Sequence, residues 1–302
     1  MIFLLGSAAG VILALFAFGI YYRKSSGVCL CKDRLDGKTV ILTESTKGTS
    51  KVVAIDLASR GGKVVLACKD VNNGEALKDE IILRTRNENL EVCHLDFSDL
   101  YSEKTSYEEE LTNEGFEMTI VQIILVHFFL RIFLLSKMLS TGKCRIINVS
   151  SVAHKFFHLN LDDVHFKKRR YNVWASFCQA SLCSLLFTKE LFRRLVGKGV
   201  TANTLHTGLV SEEVLTEKSI FSSFFNAIGS VIFKTPYLGA QSIIHLAVSE
   251  KLDRVTGEYF IDCKIDEPSK KALDPRLARQ LWEFTEEEIG LRRDQKNTMN
   301  NF

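Results

Sequence analysis

The chain has no long basic run interleaved with aromatics, no second cysteine pair to match Cys29-X-Cys31, no internal repeat and no long low-complexity segment. Each absence excludes a class. A net charge of +3 over 302 residues, with only the short KKRR at Lys167 to Arg170 as a basic cluster, argues against nucleic-acid binding. That cluster reads as a solvated loop. The eight cysteines lack paired metal-ligand spacing, and Cys68, Cys93, Cys144, Cys178 and Cys183 fall within predicted strands or helices. This suits buried thiols in a reducing compartment better than a disulfide scaffold or a zinc site, so no metal is expected.

What is present is apolar: 46% of the residues are hydrophobic, enough for a membrane anchor and one large core. Residues 1–22 carry no charge and would span roughly 30 Å of hydrocarbon at about 1.5 Å per residue. They read as a transmembrane anchor. Arg23, Lys24, Lys32 and Arg34 follow it and nothing basic precedes it, which places the remainder on the cytosolic side. A cleaved signal peptide is the alternative, but it would want a basic segment before the apolar one. A linker at 23–36 leads into a domain at 37–302.

Within that domain, strands and helices alternate. GKTVILT (Gly37 to Thr43), KVVLAC (Lys63 to Cys68) and Leu90 to His94 read as strands, with helices over Ser50 to Arg60 and from about Asn72 to Arg84. Such alternation predicts βαβ units and a doubly wound, Rossmann-like parallel sheet. The region from Phe97 onward breaks the pattern. An acidic segment to Glu114 runs into a long apolar helix beginning near Phe116, with no room for a further strand. The sheet is therefore expected to miss one central strand. Ile120 to Leu135 is apolar enough to raise a second span, but His127 and Arg131 favour a core helix. RIINVSS from Arg145 then predicts a strand, Asn172 to Gly197 a long helix with basic residues in its last turns, and Val200 to Leu205 another strand. Phe221 to Phe233 could be a lid, a membrane-facing patch or core. A helix over Pro236 to Ser249, the strand GEYFID and an amphipathic helix over Arg276 to Leu291 close the chain.

In this order, SSGVC (Ser25 to Cys29), GKTVILT, VVLACKD, LDFSD at Leu95, GFEM at Gly115, RIINVSSVAH at Arg145, LFTKEL at Leu186, KTPYLGAQ and TGEYF carry a resemblance. The chain resembles the short-chain dehydrogenase/reductases, and within them the membrane-anchored retinol dehydrogenases, which interconvert retinol and retinal with NADP(H). The resemblance implies an oxidoreductase of the endoplasmic reticulum membrane with a single span, a lipophilic retinoid-like substrate, and a homodimer through the long helices.

Hydride transfer to or from an alcohol needs a base for the hydroxyl proton, a cation to lower that base's pKa, and a donor on the substrate oxygen. In the family these are a tyrosine, a lysine four residues later and a serine ending the preceding strand, with a helical asparagine holding a relay water. Carried onto this chain, the serine is Ser151, the tyrosine position is Phe177, the lysine position is Ser181 and the asparagine position is Ile123. Only the serine is kept. The cofactor loop departs as well, reading Thr43, Glu44, Ser45, Thr46, Lys47, Gly48, Thr49, Ser50, where the family has three glycines. Gly48 survives. Glu44 brings a carboxylate toward a phosphate site, at about 1 to 4 kcal/mol for like charges about 4 Å apart, which Lys47 offsets in part. Lys69 and Asp96 match the family's 2'-phosphate and adenine positions, and Gly208 is kept in HTGLV beside Thr207, where proline is usual.

Ser151, His154, His127, Cys178 and Asp162 offer nucleophile and base types, but no spacing fixes a replacement triad. Three readings stand: a catalytically impaired homologue that keeps ligand or partner binding, a working NADP(H)-dependent oxidoreductase with an unorthodox site, and a chain whose interrupted sheet does not fold stably.

Overall fold

In the computed structural model the described residues are 2–43, 46–95, 126–211 and 232–288, with the side chains of 2–9, 11, 12 and 126–133 outside the description. Glu44, Ser45, Asp96, Ile123 and most of Phe221 to Phe233 thus lie outside the described residues. The side chain of His127 does too. The chain forms two compact units, one holding residues 1–94, 207–248 and 261–264, the other 95–206, 249–260 and 265–302.

The first unit begins with α1 (Ile2–Lys24), a helix of 23 residues. Among the described residues no helix is long and apolar enough to cross a membrane. The end of α1 is tied down locally: the Leu209 N–H donates to the Tyr22 hydroxyl at 3.1 Å, and Arg23 Nε donates to the Phe233 carbonyl at 2.8 Å. Three parallel strands follow the expected places, β1 (Thr39–Thr43), β2 (Lys63–Cys68) and β3 (Leu90–His94), paired Thr39 with Lys63 and Val64 with Leu90. Between them run α2 (Gly48–Ser59) and α3 (Val71–Thr85). The Asp70 carboxylate accepts from the Asn73 N–H at 3.1 Å and so caps α3, supplying a partner that a helix start lacks. Gly74 lets α3 approach its strands, because a Cβ there would fall 2.6 Å from Cys68 Sγ and 2.7 Å from Val92. The core is Val53 and Leu57 of α2, Leu66 of β2, Ile81 of α3, and Ala240 and Ile244 of α6 (Pro236–Val248).

The second unit contains α4 (Val126–Thr141), β4 (Cys144–Ser150), α5 (Val173–Leu195), β5 (Val200–His206), most of the short strands β6 (Tyr259–Ile261) and β7 (Lys264–Asp266), and α7 (Pro275–Glu288). Here β4 pairs parallel with β5 from Cys144 opposite Val200 to Ser150 opposite His206. The strand order is β4-β5-β6-β7. β7 was not expected; Asp262 and Cys263, both at positive φ (52° and 61°), form the two-residue turn that produces it. Asn172 caps α5 by accepting from the Ala175 N–H at 2.8 Å.

The described strands therefore make a three-stranded and a four-stranded sheet, and among the described residues no strand joins them. The expected interruption falls between β3 and α4, on residues 96–125, which lie outside the described residues. The α/β character and the parallel pairing are as expected.

Trp282 of α7 is the main tie between α7 and α5. Its ring stacks on Phe187 at 5.3 Å, Arg194 lies 4.2 Å from its centroid, and its Nε1 donates to Glu286 Oε1 at 2.8 Å. Trp282→Ala should cost about 3 to 5 kcal/mol of stability by emptying this site, with Trp282→Phe costing less because the stack survives. Denaturant unfolding of the full chain in detergent checks this; an Ala variant as stable as the wild type would refute the packing role.

Candidate active site

The last three residues of β4 are bonded rung by rung to one face of α5. Asn148 Nδ2 donates to Thr188 Oγ1 at 2.6 Å, Ser184 Oγ donates to the Val149 carbonyl at 3.1 Å, and Ser150 Oγ donates to the Ser181 carbonyl at 2.8 Å. Residues 181, 184 and 188 share a helix face by their spacing, and all three side chains are buried. These polar rungs sit within an otherwise apolar helix face. Periodicity of apolar residues alone did not single them out; serine and threonine recurring at three and four residues was the available signal.

The rungs deliver Ser151, at the end of β4, beside the segment of α5 that holds positions 177 and 181. Ser151 Oγ accepts from the Ala153 N–H at 3.2 Å as the cap of a short 3-10 turn over Val152–Lys155. Phe177 is half-buried, and its ring lies 6.0 Å from that of Trp174, itself 6.3 Å from Phe156. Trp174 is 55% exposed and Phe156 66%, so the face that bears the tyrosine position is an open aromatic row. Ser181 is only 2% exposed, and its hydroxyl donates to the Phe177 carbonyl one turn back at 2.7 Å. Its one hydrogen is committed to the helix backbone, and the position has no cation.

Among the described residues, the alternative nucleophiles and bases are engaged separately. His154 is buried, with Nδ1 2.7 Å from the Ser151 carbonyl and Nε2 accepting from the Ser269 N–H at 3.1 Å. Both ring nitrogens are thus engaged, which fixes a neutral tautomer; burial holds its pKa below the ordinary value despite the Ser151 carbonyl. Cys178 is fully buried, and burial pushes its thiol up to about 11, the opposite of nucleophile activation. Asp162 is exposed, and its N–H serves a local turn with Asn160. Of KKRR, three residues are exposed as expected, but Arg169 turns back to donate to Gln179 Oε1 at 2.9 Å and lies over the Phe166 ring at 4.2 Å.

Of the cofactor-side residues, Thr43, Lys47, Gly48, Lys69 and Gly208 lie in the first unit. Thr43 ends β1, and Lys47 is the exposed N-cap of α2, with no side-chain bond closing the helix start. Gly48 takes φ of 51°, a conformation that glycine adopts at little cost. Thr49 Oγ1 behind it is buried without a hydrogen-bond partner. A helix start with open amides and a glycine suits a phosphate, as the family's pyrophosphate requires. Of the family's two other glycine positions, Ser50 lies in the first turn of α2 and Glu44 lies outside the described residues. Lys69 is exposed just beyond β2. Gly208 has φ of 92°, and a Cβ there would meet Lys234 at 2.5 Å. Lys234 is itself buried, paired with Asp262 and 5.1 Å from the centroid of Tyr22. Gly208 is therefore required by this lysine's packing whether or not a cofactor binds.

A parallel α/β fold with a strand-end serine facing a helix that carries two positions four residues apart defines a class, and comparison with known proteins gives the same class. No protein-family model matches the chain. It is 37% identical to human "Retinol dehydrogenase 13" over 294 residues, covering 88% of this chain and 89% of that one. Among solved structures, an uncharacterised protein from Mycobacterium paratuberculosis is similar with a TM-score of 0.67 and 26% identity, over 87% of this chain and 97% of that one. An NADPH-bound short-chain oxidoreductase from Pseudomonas aeruginosa PAO1 with an atypical catalytic centre shares the fold at a TM-score of 0.57 and 15% identity, over 76% of this chain and 96% of that one. The chain belongs to the short-chain dehydrogenase/reductases, in their retinol dehydrogenase group.

Two of the buried histidines of the second unit, His154 and His165, make a pH prediction. Burial lowers the pKa of His154, and burial first, then the charge of Lys167, brings His165 down to about 4. A depressed folded-state pKa means that the unfolded chain binds more protons, so this stability is complete above about pH 6.5 and is lost as pH falls toward about 4. Thermal melts from neutral pH to about pH 5 should show a falling Tm, less steep in His165→Gln. A flat wild-type profile would contradict the neutral assignment.

Proposed function

We propose that this chain is a retinol dehydrogenase-like protein severely impaired in the family's reaction, which retains a lipophilic ligand or partner site at a membrane. The observation that carries this reading is Ser181: at the lysine position, a buried hydroxyl spends its hydrogen on the Phe177 carbonyl. When bound, NADP(H) would supply or take the hydride. Every proton movement would fall to the chain. Phe177 has no proton to exchange, and Ser181 cannot lower a neighbour's pKa or hold the nicotinamide ribose through charge. Loss of general acid-base catalysis alone slows such reactions by roughly 10²- to 10⁴-fold. Ser151 could still donate to a substrate oxygen, which orients without moving the proton.

Cofactor binding is proposed to be weakened rather than abolished. Gly48, the open start of α2, Lys47 and Lys69 favour a phosphate-bearing ligand, whereas Glu44 and Ser50 hinder it. The row of exposed Phe156 and Trp174 and half-buried Phe177, whose rings are tilted against one another, suits a retinoid-like apolar molecule, since neighbouring aromatics offer large apolar area. The apolar sequence of α1, about 35 Å long at 1.5 Å per residue, and the basic residues after it support a single span of the endoplasmic reticulum membrane with the rest facing the cytosol. A homodimer through the long helices is part of the same family-based reading.

The test is NADPH titration of the detergent-solubilised full chain, together with retinal and retinol turnover beside human retinol dehydrogenase 13. The expected result is weak NADPH binding and turnover lower by a factor of at least about 100. Comparable turnover would sink the proposal and favour a working enzyme with an unorthodox site. Phe177→Tyr with Ser181→Lys is expected not to restore turnover, because the glycine loop and Ile123 remain changed; recovery would show that the dyad alone accounts for the loss.

A further inference from the structure

Cys29 and Cys31 lie in the strap between α1 and β1, and both thiols point at one atom, Nδ1 of His245 on α6. The distances are 3.9 Å from Cys29 Sγ and 3.4 Å from Cys31 Sγ, and the three atoms all lie within 4.8 Å of one another. All three residues are half-buried. Hydrogen bonding does not account for this convergence well, because one ring nitrogen has either one hydrogen or one lone pair to share. A metal does. With Zn–S near 2.3 Å and Zn–N near 2.0 to 2.1 Å at tetrahedral angles, sulfur and nitrogen ligands stand about 3.6 Å apart. The two observed distances bracket that edge.

The ligands are held in place by their neighbours. The Cys29 N–H donates to Gln241 Oε1 at 3.1 Å, and Gln241 lies one turn before His245 on the same face of α6. Arg60 Nη1 donates to the carbonyls of Cys31 at 2.8 Å and Asp33 at 3.0 Å, fixing the other side of the strap. Gly27 lies so close to the Asp262 carbonyl that a Cβ would fall 1.9 Å from its oxygen. The next residue, Cys263, donates its N–H to Ser242 Oγ on α6 at 3.0 Å, and its thiol is within electrostatic range of Cys29 and Cys31.

We propose that Cys29, Cys31 and His245 bind a zinc ion that fastens the strap after α1 to α6. Two thiolates and a neutral imidazole balance the dication. Binding releases the two thiol protons to solvent, and no electron is transferred. Sulfur and imidazole ligands select zinc over calcium or magnesium, which take oxygen. Sequence spacing concealed the site because its third ligand stands 214 residues from Cys31. It is independent of the catalytic reading above, since none of its residues belongs to that site.

The test uses the full chain in detergent, stripped with a chelator and then given Co²⁺ or Zn²⁺ alone. Co²⁺ should produce thiolate-to-metal charge-transfer absorption that Zn²⁺ bleaches, with stoichiometric zinc surviving gel filtration. Cys31→Ser and His245→Ala should each lose the bound metal, while Cys93→Ser, which alters an exposed cysteine elsewhere, should keep it. Absence of the charge-transfer band in the wild type overturns the proposal, as does metal retention in both ligand variants. If those variants fail to fold, alkylation of the wild type decides: Zn²⁺ should protect Cys29 and Cys31, and no protection overturns the site.

Discussion

The catalytic half of this protein depends on the bonding of β4 to α5. A parallel strand and the helix that follows it can slide against one another when they meet only through apolar side chains, because dispersion and burial are not directional. Asn148 to Thr188, Ser184 to Val149 and Ser150 to Ser181 remove that freedom. The Asn148–Thr188 rung is buried, so leaving it unmade would strand a polar group at about 1 to 3 kcal/mol, and the two half-buried rungs less. The register of helix on strand is thus set by polar groups, and the apolar face supplies the bulk of the adhesion.

That arrangement explains how a site can keep its geometry without its chemistry. The rungs use backbone carbonyls at Val149 and Ser181 and the side chains of Asn148, Ser150, Ser184 and Thr188. None needs an ionisable group at 177 or 181. Phenylalanine and serine can therefore occupy those positions without loosening the frame, and Ser181 even adds a backbone bond of its own. Framework and reactivity are separable because the residues that position the helix differ from those that would move protons along it.

Most elements were legible from the sequence for a related reason. The strands β1 to β5 are short apolar runs bounded by turn residues, and α5 has an apolar period that a strand could not satisfy. Their observed bounds fall within a few residues of expectation. Positions 177 and 181 were legible because the family resemblance marks them, and helical spacing of four then places both on one face. Less legible were contacts made across long sequence separations or by polar atoms. The β6–β7 turn depends on Asp262 and Cys263 taking positive φ, which neither residue type announces. Gly208 was read as a cofactor glycine, yet the side chain that crowds it is Lys234, a residue that no local pattern connects to it. The aromatic row from Phe156 to Trp174 to Phe177 likewise needs the loop after β4 to fold back onto the start of α5.

Under the proposed function, the two halves of an oxidoreductase site are impaired by different physical routes. On the catalytic side the change is in charge and proton inventory: a phenol and an ammonium give way to a ring and a hydroxyl. On the cofactor side the change is in backbone access, since Gly48 keeps its left-handed conformation while two flanking positions acquire side chains. The second kind of change is graded, because a helix start with open amides and a nearby lysine still attracts phosphate in the absence of close approach. The first is not graded, since a group either has an exchangeable proton or lacks one. A protein with these two changes together would lose proton transfer before it lost affinity for an anionic ligand, which is the order expected of a fold moving from catalysis to binding.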